Sequence, residues 1–171
     1  MPWQCTLIDI VGTKLVHFEK PIPTSIPGSY TTGTTMLLTR DGREIDSDKL
    51  PIGSMFYCPK NPIVINDDFT GRNGWPWYIA SDYKLSDFYK QNNANRDPIL
   101  VKLPGAELFC VDSKCHKDGK YYGGWRVTGV APNITVSPSI DMGIFYHGFL
   151  QNGIIGDDVS GKRYDVFGNK L

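Results

Sequence analysis

The residues with the strongest potential for chemistry are two cysteines and two histidines in the C-terminal part of the chain. Four residues separate Cys110 from Cys115, His116 follows directly, and His147 lies farther along. Thiolate and imidazole are the ligands of structural zinc, so these four residues could form a Cys2His2 centre. The spacing is wider than a Cys-x-x-Cys knuckle, and the alternative is that Cys110 faces the core of a strand while Cys115 and His116 lie in an exposed loop at residues 113–119.

Other ionisable groups give weaker signals for a reactive centre. His147 lies between Tyr146 and Gly148, and a lone strand histidine is more often a hydrogen-bonded partner than an acid or base. We expect Gly148 to permit a bulge or a close approach by another backbone. The paired carboxylates at positions 67–68 and 157–158 lack the alternating spacing of a calcium loop, and we interpret them as solvated turns. The sequence therefore predicts no catalytic residue.

A second group of candidates consists of aromatic and proline side chains suited to protein contacts. Two tryptophans and a tyrosine lie within residues 71–78, where they could fill the core or anchor an interface. The three prolines of residues 20–28 remove backbone donors and predict an extended arm or loop, which we place at residues 20–33. We assign partner binding to the following residues: Trp75, Trp77, Tyr78, Pro21, Pro23 and Pro27.

Composition limits the classes of protein to which the chain can belong. The 171 residues are 40% apolar, which is enough for one compact domain over residues 1–171. Lys+Arg and Asp+Glu number 18 each, so we expect neither direct nucleic-acid binding nor a membrane as partner. The first five residues lack the features of a secretory signal, and we therefore expect a chain that stays where it is made or where it is assembled, without disulfides.

The 18 glycines and 12 prolines favour short strands over long helices. They predict an all-β or β-dominated fold, a compact antiparallel sandwich or barrel of short strands with long loops. Asn152-Gly153 provides the two positive-φ positions of a type I′ turn, so residues 146–150 should pair with those after it. Asp41-Gly42 predicts another hairpin.

One short helix is expected near residues 81–92, capped by Ser81 or Ser86. The turn signal at Gly12-Thr13 separates two strands, and the tail 161–171 alternates enough for a last edge strand. The other predicted strands lie at residues 5–11, 14–18, 34–40, 43–45, 53–58, 62–65, 98–103, 108–111, 125–130 and 134–136.

Four blocks in a fixed order resemble a family of small tailed-phage proteins of unassigned function. That family has a Leu-Pro-x-Gly-Ala-Met block, a Leu-Pro-x-Gly strand pair, a Pro-x-Ile-Thr-Val-x-Pro-Ser-Ile block and a His-Gly-x-Leu-x-x-Gly hairpin. The corresponding segments here are Leu50-Pro-Ile-Gly-Ser-Met55, Leu103-Pro-Gly-Ala-Glu-Leu108, residues 125–140 and residues 146–155. The C-terminal blocks are also similar to small bacterial Cys/His domains of unknown function, whose dense cysteine cluster this chain lacks.

The resemblance points to a phage, and the predicted proline arm and the aromatic loop at residues 71–78 are suited to docking onto neighbouring subunits. We therefore expect a structural or assembly protein of a phage virion, present in the host cytoplasm before assembly. Head decoration or cement is the first expectation, and a connector or tail component is the second. Its partners would be the major capsid protein or neighbouring copies, and it would act without catalysis or a cofactor. One alternative is a small metal-binding domain that holds zinc through the Cys/His set, enzymatic or host-directed. Another is a host-directed inhibitor that works by binding alone.

Overall fold

The computed structural model describes residues 2–23, 27–59, 85–105, 107–117 and 120–171. Their strands are β1 (Trp3–Gln4), β2 (Thr6–Leu7), β3 (Ile10–Pro23), β4 (Tyr30–Thr39), β5 (Glu44–Asp46), β6 (Ser54–Tyr57), β7 (Ile99–Leu103), β8 (Glu107–Cys110), β9 (Cys115–Lys117), β10 (Lys120–Tyr122), β11 (Arg126–Thr128), β12 (Thr135–Asp141), β13 (His147–Gln151) and β14 (Ile154–Ile155). A 3-10 turn, Ser47–Lys49, follows β5, and a short helix with π geometry, α1 (Tyr89–Asn93), precedes β7. The β-dominated fold predicted from the sequence is confirmed.

The strands form three stacked sheets and one separate hairpin. The sheet orders are β1-β14-β13-β12-β11, β2-β6-β7-β8 and β3-β4-β5, and β9 pairs with β10. None of these sheets closes into a barrel within the described residues. The pairs are antiparallel except β2 with β6, which is parallel. The four-stranded sheet is the middle layer, because each of its faces packs against a different sheet.

The middle layer owes its position to strands that are apolar on both faces. All five residues of β7 are buried, as expected for a strand covered on two sides. Alternate residues point to opposite faces, so Ile99 and Val101 join one core cluster and Leu100 joins the other. The first cluster, shared with the five-stranded sheet, includes Met55, Ile99, Val101, Leu103, Val127, Val136, Ile140, Leu150 and Ile155. The second, shared with the three-stranded sheet, consists of Ile10, Leu37, Leu50, Phe56, Cys58 and Leu100.

Both predicted hairpins are confirmed. Asn152 has φ 48° and Gly153 has φ 74°, and Gln151 pairs with Ile154 across them. In the other hairpin Gly42 has φ 88°, and Leu38 pairs with Glu44. Local turn chemistry was sufficient to identify these two connections, because positive φ restricts the residue types at each turn.

The predicted helix is present but shorter than expected. Ser86 caps the helical turn at residues 87–88 that leads into α1, since the Ser86 hydroxyl accepts from the Tyr89 N–H at 3.0 Å. Residues 81–84 of the prediction lie outside the described residues. An ion pair holds the following loop, where Arg96 Nη1 lies 2.7 Å from Asp112 Oδ2 and the same oxygen accepts from Ile99 N at 2.9 Å.

Three sequence predictions are wrong in their boundaries. β3 runs without a break across Gly12-Thr13, where the pairing with β4 only shifts register. Residues 20–23 and 30–33 belong to paired strands rather than a loop. The tail is not an edge strand: it forms turns with a single bridge between Tyr164 and Lys170. Non-local contacts explain the course of the tail, because Ile52 N and Gly105 N donate to its carbonyls. The predicted strand at residues 62–65 lies outside the described residues.

Candidate partner-binding surfaces

The pairing of β3 with β4 continues well beyond the third strand of their sheet. β3 and β4 pair from Ile10–Thr39 to Pro23–Tyr30, whereas β5 pairs only with residues 36–38 of β4. Residues 15–23 and 30–35 therefore form a two-stranded extension, which we call the ribbon. A two-stranded hairpin is marginally stable in water unless something covers it. The predicted extended arm is thus a paired ribbon.

Apolar side chains are exposed at the far end of the ribbon, at residues 20–23 and 27–30, which we call the tip. Ile22 is 46% exposed and Tyr30 is 65% exposed. The three prolines assigned to partner binding also lie exposed at the tip: Pro21, Pro23 and Pro27. Because proline lacks an N–H, this end of β3 offers few donors to an added strand, and contacts made there depend on side chains.

A cleft lies at the opposite end of the ribbon, where β4 turns into β5. We call it the basal cleft; its volume is about 630 Å³. Its apolar lining consists of Ile8, Ile45, Leu50, Pro51 and Ile52, and its polar lining includes Thr6, Asp9, Thr39, Arg40, Asp41, Arg43, Lys49 and Ser54. The cleft therefore has an apolar surface bordered by charges of both signs.

The turn between β4 and β5 is fixed by hydrogen bonds of Thr39. The Thr39 hydroxyl donates to the Asp41 carboxylate and accepts from Arg43 N at 2.9 Å. That hydroxyl contact, followed by the Arg43 guanidinium, lowers the pKa of Asp41 below its usual value. Arg40 Nε lies 2.6 Å from Asp9 Oδ2, so it links the turn to the chain after β2. These ion pairs leave both arginines of the cleft already partnered.

Lys49 is positioned at the cleft by a buried lysine of the middle layer. Lys102 is fully buried, and its Nζ donates to the carbonyls of Ser47 and Asp48 at 3.1 and 3.4 Å. The 3-10 turn is thereby tied to β7 directly beside Lys49. Lys49 itself is exposed and has no ion-pair or hydrogen-bond partner within the described part of the chain.

The structure does not bring the described members of the predicted zinc set together. Cys110 is 1% exposed, and burial raises the pKa of its thiol well above the usual value. It pairs with Leu100 on β7, which faces the three-stranded sheet. In β13, Gly148 and Leu150 point inward and His147 points to the outer face of the five-stranded sheet. The first core cluster, between the middle layer and the five-stranded sheet, therefore separates Cys110 from His147.

The other two residues of that set are in a strand rather than a loop. Cys115 and His116 belong to β9 and pair with Tyr122 and Tyr121 of β10, which corrects the predicted exposed loop. Their side chains lie outside what the structure describes, so the four-ligand zinc site stays a prediction. Within the described residues, no group of three or more His, Cys, Asp or Glu side chains could hold a metal ion. Cys5 is also buried, and burial raises its pKa to about 12.

His147 makes the hydrogen bond expected of a strand histidine. Its Nε2 lies 2.9 Å from Ser139 Oγ, a contact that the sequence did not reveal because Ser139 lies within the register irregularity of β12 between Val136 and Ile140. A serine and a histidine at this distance have the geometry of a nucleophile and its base. The contact joins β12 to β13 on the outer face of the five-stranded sheet.

Asp158 is buried, which corrects the predicted solvated turn. Its carboxylate accepts from the N–H groups of His147, Ser160 and Lys162 at 2.9, 2.8 and 3.3 Å. Burial raises its pKa, but these hydrogen bonds and the Lys162 ammonium outweigh that effect and hold the pKa below the usual value. Asp158 thus joins the tail to the start of β13. The neighbouring cavity, of about 410 Å³, is lined by Trp3, Asp157, Asp158, Gly161, Lys162, Arg163, Tyr164 and Leu171.

Gly148 admits a close approach, but by a side chain rather than a backbone. A Cβ at this position would overlap the phenol oxygen of Tyr146 and lie 2.5 Å from its Cζ. The Tyr146 hydroxyl donates to the Gly156 carbonyl at 2.8 Å. The missing Cβ therefore lets a buried tyrosine fold over its own strand.

The remaining assigned residues, Trp75, Trp77 and Tyr78, lie outside the described residues, and their role stays a prediction. No helix of the described segments is long and apolar enough to cross a membrane. Searches of protein-family models, curated proteins and solved structures found no match to this chain.

Proposed function

We propose that the chain is a structural or assembly protein of a phage particle that acts through protein–protein contacts and catalyses no reaction. The observation that supports this proposal is the ribbon, which extends beyond β5 and exposes Ile22 and Tyr30 at its tip. Head decoration or cement is the favoured position, and a connector or tail position comes second. The major capsid protein and neighbouring copies are the proposed partners.

Covering the exposed apolar side chains of the tip by a partner would be favourable in free energy. Covering the exposed fraction of each of its two large apolar side chains would contribute on the order of 1 kcal/mol. The ribbon backbone is already ordered by pairing with its neighbour, so a partner gains this contribution with less loss of conformational entropy than a disordered arm would require. A preformed ribbon is therefore suited to repeated docking during assembly.

Quantitative mass spectrometry of purified virions of the encoding phage tests the proposal. We expect the chain in the particle at a fixed ratio to the major capsid protein. The variant Ile22→Asp should be depleted from particles, because it places a charge where an apolar contact is proposed. Ile144→Asp is the matched control, since Ile144 is an exposed isoleucine outside the ribbon.

Absence of the wild-type chain from virions would overturn the proposed function. Elemental analysis of the recombinant protein then addresses the alternative: about one zinc per chain, lost in the Cys115→Ser variant, would favour the metal-binding domain. Normal incorporation of Ile22→Asp would instead show that a virion role does not depend on the tip.

A further inference from the structure

The tip and the basal cleft lie at opposite ends of the same pair of strands. β4 begins at Tyr30 in the tip and ends at Thr39, which lines the cleft. Nine residue steps of about 3.3 Å separate the two by roughly 30 Å. Because the paired strands keep the tip at this distance, the tip of one molecule cannot fill its own cleft.

The two surfaces are complementary in polarity. The tip exposes Ile22 and Tyr30, and the cleft presents the apolar side chains of residues such as Ile8 and Ile45. A cavity of about 630 Å³ falls within the range of roughly 300 to 1,000 Å³ that is typical of binding sites. It is large enough for the two exposed side chains of a tip.

Charges beside the two surfaces permit one ion pair between them, although the tip also exposes Lys20. Glu19 is exposed next to the tip, and Lys49 is exposed at the cleft. Neither has a hydrogen-bond or ion-pair partner within the described segments, whereas both arginines of the cleft are paired with Asp9 and Asp41. An unpaired anion beside the tip and an unpaired cation beside the cleft would meet when a tip enters.

We propose that the ribbon tip of one copy docks in the basal cleft of a second copy. This inference rests on the proposed role of the ribbon as a binding element. The contact uses two different surfaces of each molecule, so it is heterologous, and each added copy presents a new tip and a new cleft. Such head-to-tail contacts produce a ring if the rotation closes and a filament if it does not.

Sedimentation velocity over a concentration series tests the contact on the purified full-length chain. Wild-type protein should form species larger than a dimer as concentration rises. The double variant Ile22→Asp/Tyr30→Asp should remain monomeric, and so should Thr6→Trp, which fills the cleft from an exposed position. Ile144→Asp should associate like wild type. Circular dichroism of each variant verifies that it is folded.

Exchanging the charges of Glu19 and Lys49 tests whether these two side chains meet across the contact. Glu19→Lys and Lys49→Glu should each weaken association about twofold to fivefold, as expected for one exposed ion pair. The double variant Glu19→Lys/Lys49→Glu should recover most of the wild-type association. Additive weakening in the double variant would overturn the proposed Glu19–Lys49 contact.

Mixing two defective variants tests the heterologous geometry. The Ile22→Asp/Tyr30→Asp variant retains an intact cleft, and the Thr6→Trp variant retains an intact tip. Because only one functional contact can form between them, an equimolar mixture should form a heterodimer and nothing larger. Wild-type protein that stays monomeric at about 1 mM, well above the micromolar range of ordinary interfaces, would overturn the inference. Oligomers that are insensitive to both variants would also overturn it. Either result leaves the virion measurement unaffected, so failure of this inference and failure of the proposed function are distinguishable.

Discussion

The middle layer and the ribbon contain the same kind of antiparallel strand pair but differ in what covers them. β7 is buried along its whole length between two other sheets, whereas the ribbon ends in exposed Ile22 and Tyr30. The backbone ladder of the ribbon is interrupted between His17 and Ile22, whereas β7 pairs continuously with a strand on each edge. Greater side-chain burial adds to the stability that β7 provides. Strand pairing alone therefore does not indicate where folding energy resides, and the exposed ribbon is available for binding.

The largest expected effect is a cavity in the middle layer. Leu100 is fully buried in the second core cluster, so Leu100→Ala should lower the free energy of unfolding by about 2 to 5 kcal/mol. Urea unfolding followed by circular dichroism measures this change. The matched control is Leu7→Ala in edge strand β2, where the leucine is 39% exposed. Equal losses for the two variants would contradict the three-sheet arrangement.

A smaller effect is expected from overpacking the five-stranded sheet. Gly148→Ala should cost about 1 to 3 kcal/mol, because the new methyl displaces Tyr146 and breaks its hydrogen bond to Gly156. Gly123→Ala is the control, since a Cβ at Gly123 would meet nothing within 4 Å. Thermal unfolding of both variants separates steric displacement from the general effect of replacing glycine. A stable Gly148→Ala protein would show that Tyr146 does not fold over its strand.

The loss of stability in acid should depend on Asp158 in the tail and not on the carboxylate beside the ribbon tip. The folded-state pKa of Asp158 is lowered, so its stabilising contribution is complete above its unfolded pKa of about 3.9 and is lost as pH falls through the lower folded value. Asp158→Asn should cost about 1 kcal/mol at neutral pH, since an amide oxygen is the weaker acceptor. Its stability should then fall less than that of wild type between neutral pH and about pH 3.

The control for the acid experiment is Glu19→Gln, an exposed carboxylate beside the tip. It should leave the pH dependence of unfolding unchanged, because Glu19 has no partner within the described residues. If Asp158→Asn and wild type lose equal stability in acid, the carboxylate does not tie the tail to β13.

Turn chemistry and apolar runs are local signals, and they predicted the parts of the fold that depend on neighbouring residues. Asn152-Gly153 identified its hairpin because type I′ geometry demands positive φ, and the apolar run 99–103 identified β7. The parallel pairing of β2 with β6 joins residues 48 positions apart, Thr6 with Ser54. No residue pattern within either strand specifies such a partner.

The candidate surfaces were only partly predictable, because they too are formed by segments that are distant in the sequence. The prolines at residues 21, 23 and 27 indicated an extended arm, yet nothing local showed that Tyr30–Thr39 would pair back along it. The basal cleft combines Thr6, Arg40 and Lys49 from three separate segments. Asp158 likewise looked like a solvated acid, because its donors are backbone N–H groups, which every residue type except proline supplies.

Substitutions at the tip of the ribbon should have the smallest effect on the free energy of unfolding. The same substitutions should have the largest effect on self-association. Ile22→Ser/Tyr30→Ser removes two exposed apolar side chains, so the free energy of unfolding of the monomer should change by no more than about 0.5 kcal/mol per site. Its self-association should nevertheless be reduced at least tenfold, because both side chains are proposed to occupy the cleft. Urea unfolding in dilute solution and sedimentation velocity measure these two quantities separately. A variant that loses several kcal/mol would show that the tip is part of the folding core, and the distinction between a buried middle layer and a binding ribbon would fail.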